Sequence, residues 1–156
     1  MKNKYKAYSE DKNNIFDVHY IDFINKGFGV QYGQSSDSIV WEYPENFILL
    51  QFTGLFDINE RPIYEGDVIT SGYISDLGSF VYESIVVYIQ KDSCFGLLLK
   101  NEHGEFDNIN DYERLTFKKI NTKWDYVNKL KIMKVSHNIF ENPTERIIQK
   151  WLNLYK

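Results

Sequence analysis

The chain has little of the residue types that staple, kink or ligate: one cysteine, three prolines and three histidines among 156 residues. With Cys94 alone no internal disulfide can form, and its setting in "SCFGLLL" reads as a small buried hydrophobe rather than a nucleophile. His19, His103 and His137 lie far apart, and none has a His, Cys or Glu neighbour at metal-ligand spacing, so neither a metal nor a cofactor is expected. A nucleophile elbow, a Cys–His pairing signal and a phosphate loop are all missing. Acidic pairs such as Asp107 and Asp111 occur, but a chain with 22 acidic residues produces such pairs freely. The expectation is a protein that is not an enzyme.

Long apolar runs are missing too. "IVVYI" and "FILL" are far too short to span a bilayer, and "MKNKYKAYSEDKNN" lacks the apolar centre of a signal peptide. A cytoplasmic protein with no membrane contact is expected.

Positive charge is scarce over most of the chain. Residues 13–113 carry 17 Asp and Glu against 4 Lys and Arg, a balance of −13. Residues 114–134 reverse the sign, with Arg114, Lys118, Lys119, Lys123, Lys129, Lys131 and Lys134 against Asp125. An acidic body of this kind repels nucleic acid and attracts a basic protein surface. The basic segment is the candidate interaction surface, through Arg114, Lys118, Lys119 and Lys123, with Tyr112 and Trp124 as possible stacking partners.

Aromatic residues, by contrast, are abundant at 17%, with 12 Tyr and 11 Phe. Half-buried β surfaces favour them, and interfaces use them as anchors. Short apolar stretches separated by turn signals fill the first 140 residues or so, as in a mainly β chain. "KYKAY" and "IFDVHYIDF" read as strands around the polar turn "SEDKNN". "GFGVQYG" and "SIVWEY" follow. "FILLQFTG" is apolar on both faces of a strand, which places it in the middle of the structure. "FVYESIVVYIQ" and "CFGLLLKN" form a hairpin around Gln90–Ser93, and "RLTFKKI" and "KLKIMKV" alternate as strands with one wet face. At the end, "ENPTERIIQKWLNLYK" carries helix-start signals: Asn142 as N-cap, Pro143 at the first helical position and Glu145 three residues after the cap. Ile147, Ile148, Trp151, Leu152 and Tyr155 then form one apolar stripe. The fold class is mainly β (α+β), closed by a C-terminal α-helix.

"QFTGLFDINERPIYEGDVI", residues 51–69, combines Gly54, Gly66 and Pro62 with Asp57, Glu60, Glu65 and Asp67. The glycines offer positive φ, and Asp57–Glu60 resembles a turn. With no Lys after the second glycine and no alternating oxygen ligands, it is neither a phosphate cradle nor an EF-hand. It reads as an architectural joint.

Two motifs carry a resemblance. "ILLQFTGLFDINERPIYEGDVI" is similar to the signature run of the YopX family of phage and prophage proteins, and "KVSHNIFENPTERI" resembles that family's closing segment. The opening "KYKAYSEDKNNIF" resembles its basic-aromatic start. Two departures stand out. Asn59-Glu60 replaces a common Asn-Gly, and His137 replaces a common Gly. The resemblance implies an N-terminal small β lobe, residues 1–60, followed by an SH3-like small β-barrel with the C-terminal helix, residues 61–156, or one compact unit. It also implies a phage or prophage origin in a host cell, but no activity.

Two classes of function remain. The first is a phage or prophage accessory protein that binds a protein of host, phage or defence origin, as an inhibitor or modulator. The second is a nucleic-acid-binding SH3-like module using segment 114–134. The acidic body and the aromatic surplus favour the first.

Overall fold

The computed structural model describes residues 4–32, 38–43, 45, 47–75, 78–101, 105, 111–115, 124–125, 129–141 and 153. They form β1 (Tyr5–Ser9), β2 (Asn14–Asp22), β3 (Gly27–Gln31), β4 (Ile39–Glu42), β5 (Phe47–Phe56) and β6 (Pro62–Tyr64). Then come β7 (Asp67–Ser75), β8 (Gly78–Ile89), β9 (Cys94–Leu99), β10 (Glu113–Arg114), β11 (Trp124–Asp125) and β12 (Lys129–Asn138). Two six-stranded sheets result, in the orders β4-β3-β2-β1-β5-β6 and β10-β9-β8-β7-β12-β11.

The turns follow from local chemistry. Between β1 and β2, Asn13 takes a left-handed backbone (φ 45°) that Asn tolerates better than most residues. Its side-chain oxygen accepts the Tyr8 hydroxyl at 3.1 Å. Between β8 and β9, Gln90–Asp92 make one 3-10 turn that ends on left-handed Ser93, as the hairpin reading requires.

The strand β5 divides the core. Leu50 and Ile48 face a cluster made of Tyr8, Val68, Ile85, Val87, Ile89, Leu98, Ile139 and Phe140, which draws on both sheets. The rings of Tyr8 and Phe140 stack within it, 4.7 Å apart. On the other side of β5, Phe47 and Leu49 pack against Ala7, Val18, Phe28 and Val30. Alternate residues of one strand thus serve two apolar clusters, which explains a run with no polar face. A third cluster, Ile63, Ile69, Val86, Leu97, Leu115 and Val135, lies mainly on the second sheet.

One expectation needs revision. The SH3-like barrel is not closed: the second sheet is open, because β10 and β11 stand at opposite ends of its order. A barrel needs its end strands to pair with each other. Here, among the described residues, each end strand is two residues long and pairs on one side, β10 with β9 and β11 with β12. The expected C-terminal helix falls on residues outside the described ones, apart from Asn153, which is helical. No helix among the described residues is long and apolar enough to cross a membrane.

Candidate functional site

Segment 51–69 is held by its carboxylates. Asp57 is buried in the turn between β5 and β6, and its Oδ1 accepts the backbone N–H groups of Asn59 (2.8 Å) and Arg61 (2.9 Å). Its Oδ2 accepts the N–H of Val135 on β12 at 3.0 Å. Val135 stands where the register of β12 shifts, between Val135 and His137. Glu60 fills the left-handed position of this turn (φ 62°), where a glycine would carry no strain. His137, by contrast, is not among the positive-φ residues.

Asp67 is buried as well. Its Oδ2 accepts the Tyr64 N–H (2.8 Å) and its Oδ1 the Asn138 amide (2.9 Å), which also donates to the Glu65 carbonyl (3.0 Å). Burial pushes the Asp67 carboxyl up to about 6, against the pull of these donors. Between Glu65 and Asp67, Gly66 sits at φ 76°, the left-handed backbone its sequence position suggested. Its N–H reaches the Val86 carbonyl, and its own carbonyl accepts from Ile139, both at 2.9 Å. The segment is a joint, and its buried carboxylates Asp57, Glu65 and Asp67 already accept from backbone donors. Among the described residues, no group of three or more His, Cys, Asp or Glu could hold a metal ion. A groove of about 300 Å³ lies beside the joint, lined by Lys6, Arg61, Tyr64, Asp67, Asn138 and Glu141 among others. Its charges are already engaged: Arg61 pairs with Glu141 at 3.5 Å, and the Lys6 ammonium lies 4.9 Å from the centre of the Tyr64 ring.

A second feature lies at the turn of the β2–β3 hairpin. The β2–β3 hairpin turns at "DFINKG", where the Asp22 carboxylate accepts the N–H groups of Ile24 (2.8 Å) and Asn25 (3.1 Å) and the Asn25 amide (2.8 Å). These bonds hold the Asp22 carboxyl below the usual carboxylate range. Lys26 completes the turn in a left-handed backbone (φ 52°). At the fixed tip, Phe23 is 84% exposed and Ile24 90%. Behind it, Tyr20 faces Gly29, and Gly29 faces Trp41, across three strands. A Cβ at Gly29 would overlap the Tyr20 ring, and one at Gly27 the Trp41 ring, so glycine lets both aromatics lie against the sheet. The Tyr20–Trp41 and Trp41–Tyr43 ring centres are 6.0 and 6.4 Å apart. Tyr20 and Tyr43 are each about half exposed. Tyr20, Trp41 and Tyr43 thus form an aromatic row on the hairpin and its neighbouring strand, and Phe23 and Ile24 an apolar tip at the turn. Aromatic richness pointed to anchors in general. Their location could not be read, because it depends on the β2 bulge between Val18 and Tyr20 and on the space above two glycines.

The basic segment is described only at its ends. Arg114 is exposed on β10, opposite Gly96 of β9. Trp124 lies on β11, paired with Leu130. Lys118, Lys119 and Lys123 lie outside the described residues. Tyr112 is a poor stacking surface. A Cβ at Gly96 would press on its ring, its hydroxyl donates to Asp92 at 2.6 Å, and that bond pushes its pKa up to about 12. His19 binds Gln31 (2.6 Å), His137 binds Ser136 (3.0 Å), and His103 lies outside the described residues.

No curated protein matches the chain. The model of the YopX protein family matches residues 4–145. The chain belongs to the YopX family, which marks it as a phage-type protein.

Proposed function

We propose that this member of the YopX family is a non-catalytic accessory protein that binds another protein, inhibiting or modulating a host or anti-phage defence factor in the host cytoplasm. The observation that carries this reading is the apolar tip of Phe23 and Ile24, fixed at the hairpin turn, together with the aromatic row of Tyr20, Trp41 and Tyr43. Large exposed apolar residues are costly to display in water, and clusters of them mark interaction surfaces. The −13 balance of residues 13–113 adds long-range attraction for a basic partner and repulsion for a duplex.

The test is capture from nuclease-treated host lysate with the wild type and with Phe23→Ser/Ile24→Ser, followed by binding kinetics of the captured protein. Capture is expected to depend on the hairpin tip, and association to slow as salt rises. Binding to single- and double-stranded DNA and RNA is measured in parallel. Tight nucleic-acid binding that disappears in Lys118→Glu/Lys119→Glu, with no protein captured, would replace this reading with the nucleic-acid one.

A further inference from the structure

We propose that the free edge of β4 takes up an extended segment of the partner as an additional strand, and that this segment alternates basic and apolar residues. The inference rests on the protein-binding reading of the same surface and specifies how the partner is held.

Among the described residues, β4 ends the first sheet and pairs with β3 alone. The register runs Gln31↔Ile39, Val30↔Val40, Gly29↔Trp41 and Phe28↔Glu42. One position before Ile39, the Tyr32 N–H donates to the Ser38 carbonyl at 3.2 Å, so that pair is hydrogen-bonded. Antiparallel pairs alternate between bonded and non-bonded. Val40 and Glu42 therefore turn their backbone groups toward β3, while Ile39 and Trp41 turn theirs outward. No hydrogen bond among the described residues reaches the outer side of Ile39 or Trp41.

Sheet edges are normally guarded by Lys, Pro or a bulge. Ile39–Glu42 contains neither Lys nor Pro, and its pairing with β3 is regular. Its one charged side chain, Glu42, is engaged by the Tyr32 hydroxyl and by Lys12, the latter at 3.5 Å. Pro44 comes only after the strand has ended.

The two faces beside this edge set the chemistry of the added strand. Trp41 and Tyr43, at alternate positions, share one face with Tyr20, and aromatic rings attract ammonium and guanidinium groups. Val40, 47% exposed, lies on the other face and suits an aliphatic neighbour. A strand with Lys or Arg on the first face and Val or Ile on the second satisfies both, and the acidic body draws it in. A second copy of this chain would bring one acidic body against another, which argues against self-pairing.

Amide hydrogen exchange on the full chain tests this with two synthetic peptides, one alternating Lys and Val and one alternating Glu and Val. With the Lys/Val peptide, exchange at Ile39 and Trp41 is expected to slow by about tenfold or more, as for amides newly closed in a ladder. The amides of Val40 and Glu42 start out protected, and the Glu/Val peptide changes nothing. Trp41→Pro removes the outward N–H without touching the β3 ladder and should abolish binding. Trp41→Val keeps the N–H and should weaken binding only by the loss of the ring. If Trp41→Pro does not fold, the wild-type exchange pattern decides. Unchanged exchange at Ile39 and Trp41 under excess Lys/Val peptide overturns the proposal, as does protection that grows with protein concentration alone. A lysate partner that binds through Phe23 and Ile24 but leaves these two amides open removes strand addition while the protein-binding reading stands.

Discussion

The carboxylate of Asp57 accepts a hydrogen bond from the backbone N–H of Val135 at 3.0 Å, joining residues that are 78 positions apart. One side chain thereby closes the β5–β6 turn and ties it to β12 at the point where that strand bulges.

Asp57→Ala would leave three backbone donors without their acceptor. Only the Val135 donor is buried, and a buried donor stripped of its partner costs about 1–3 kcal/mol, so with the two part-buried turn bonds a loss on the order of 3 kcal/mol is expected. Asp57→Asn, which keeps one acceptor oxygen, should lose less. Denaturant unfolding of the two variants checks the order.

Gly66 and Gly54 separate two costs that usually come together. Both have positive φ, 76° and 83°. At Gly66 a Cβ would lie 3.1 Å from the Asn138 Oδ1 and 3.3 Å from the Phe140 ring, whereas at Gly54 it meets nothing within 4 Å. Gly54→Ala should cost only the left-handed backbone term, about 1 kcal/mol. Gly66→Ala should cost about 2 kcal/mol or more, because it also crowds the Asn138 amide that holds Asp67. Equal losses in thermal unfolding would show that Asn138 yields freely.

These residues show how far the sequence was legible. Gly66 could be read because its chemistry is local: a glycine between two acids at a strand entry has few uses. The Gln90–Ser93 turn and the two apolar faces of β5 were readable for the same reason, since periodicity and turn composition are short-range signals. Asp57 reads as part of a turn, but its bond to Val135 joins it to a strand 78 positions away, beside a bulge that no pattern in "KLKIMKVSHN" announces. Closure of the second sheet is likewise a matter of which distant strands meet at its ends, and the two-residue strands β10 and β11 leave those ends apart. The candidate site was legible in kind only. Tyr, Trp and Phe were plentiful, yet their gathering at one sheet edge follows from cross-strand register.

Asp67 gives the protein a pH signature. Its folded pKa is raised to about 6 by burial, so its proton is held more tightly in the folded chain than in the unfolded one. The stabilising contribution is full below the ordinary carboxylate range, near pH 4, and is lost as pH rises through about 6. Asp67→Asn has no proton to lose. The stability of the wild type relative to this variant should therefore fall between about pH 4 and 6, by on the order of 3 kcal/mol, and stay level above that. Thermal unfolding of both proteins across this range measures the difference. A difference that is flat with pH would mean that the Tyr64 and Asn138 donors fully offset burial.

The hairpin tip allows binding to be separated from folding. Phe23 and Ile24 are almost fully exposed, so Phe23→Ser/Ile24→Ser removes little packing, and stability should change by no more than about 0.5 kcal/mol. Asp22→Ala leaves both apolar side chains in place but removes the carboxylate that accepts from Ile24 and Asn25. If the tip works because its anchors are already fixed, both variants should weaken partner capture, the second by letting the tip move, since ordering a loose loop on binding costs free energy. If only the apolar contact matters, Asp22→Ala should bind like the wild type. Lowering the temperature should then separate the two cases further, because a loosened tip regains order on cooling whereas a missing side chain does not. Capture that is unaffected by either variant would place the partner on another surface.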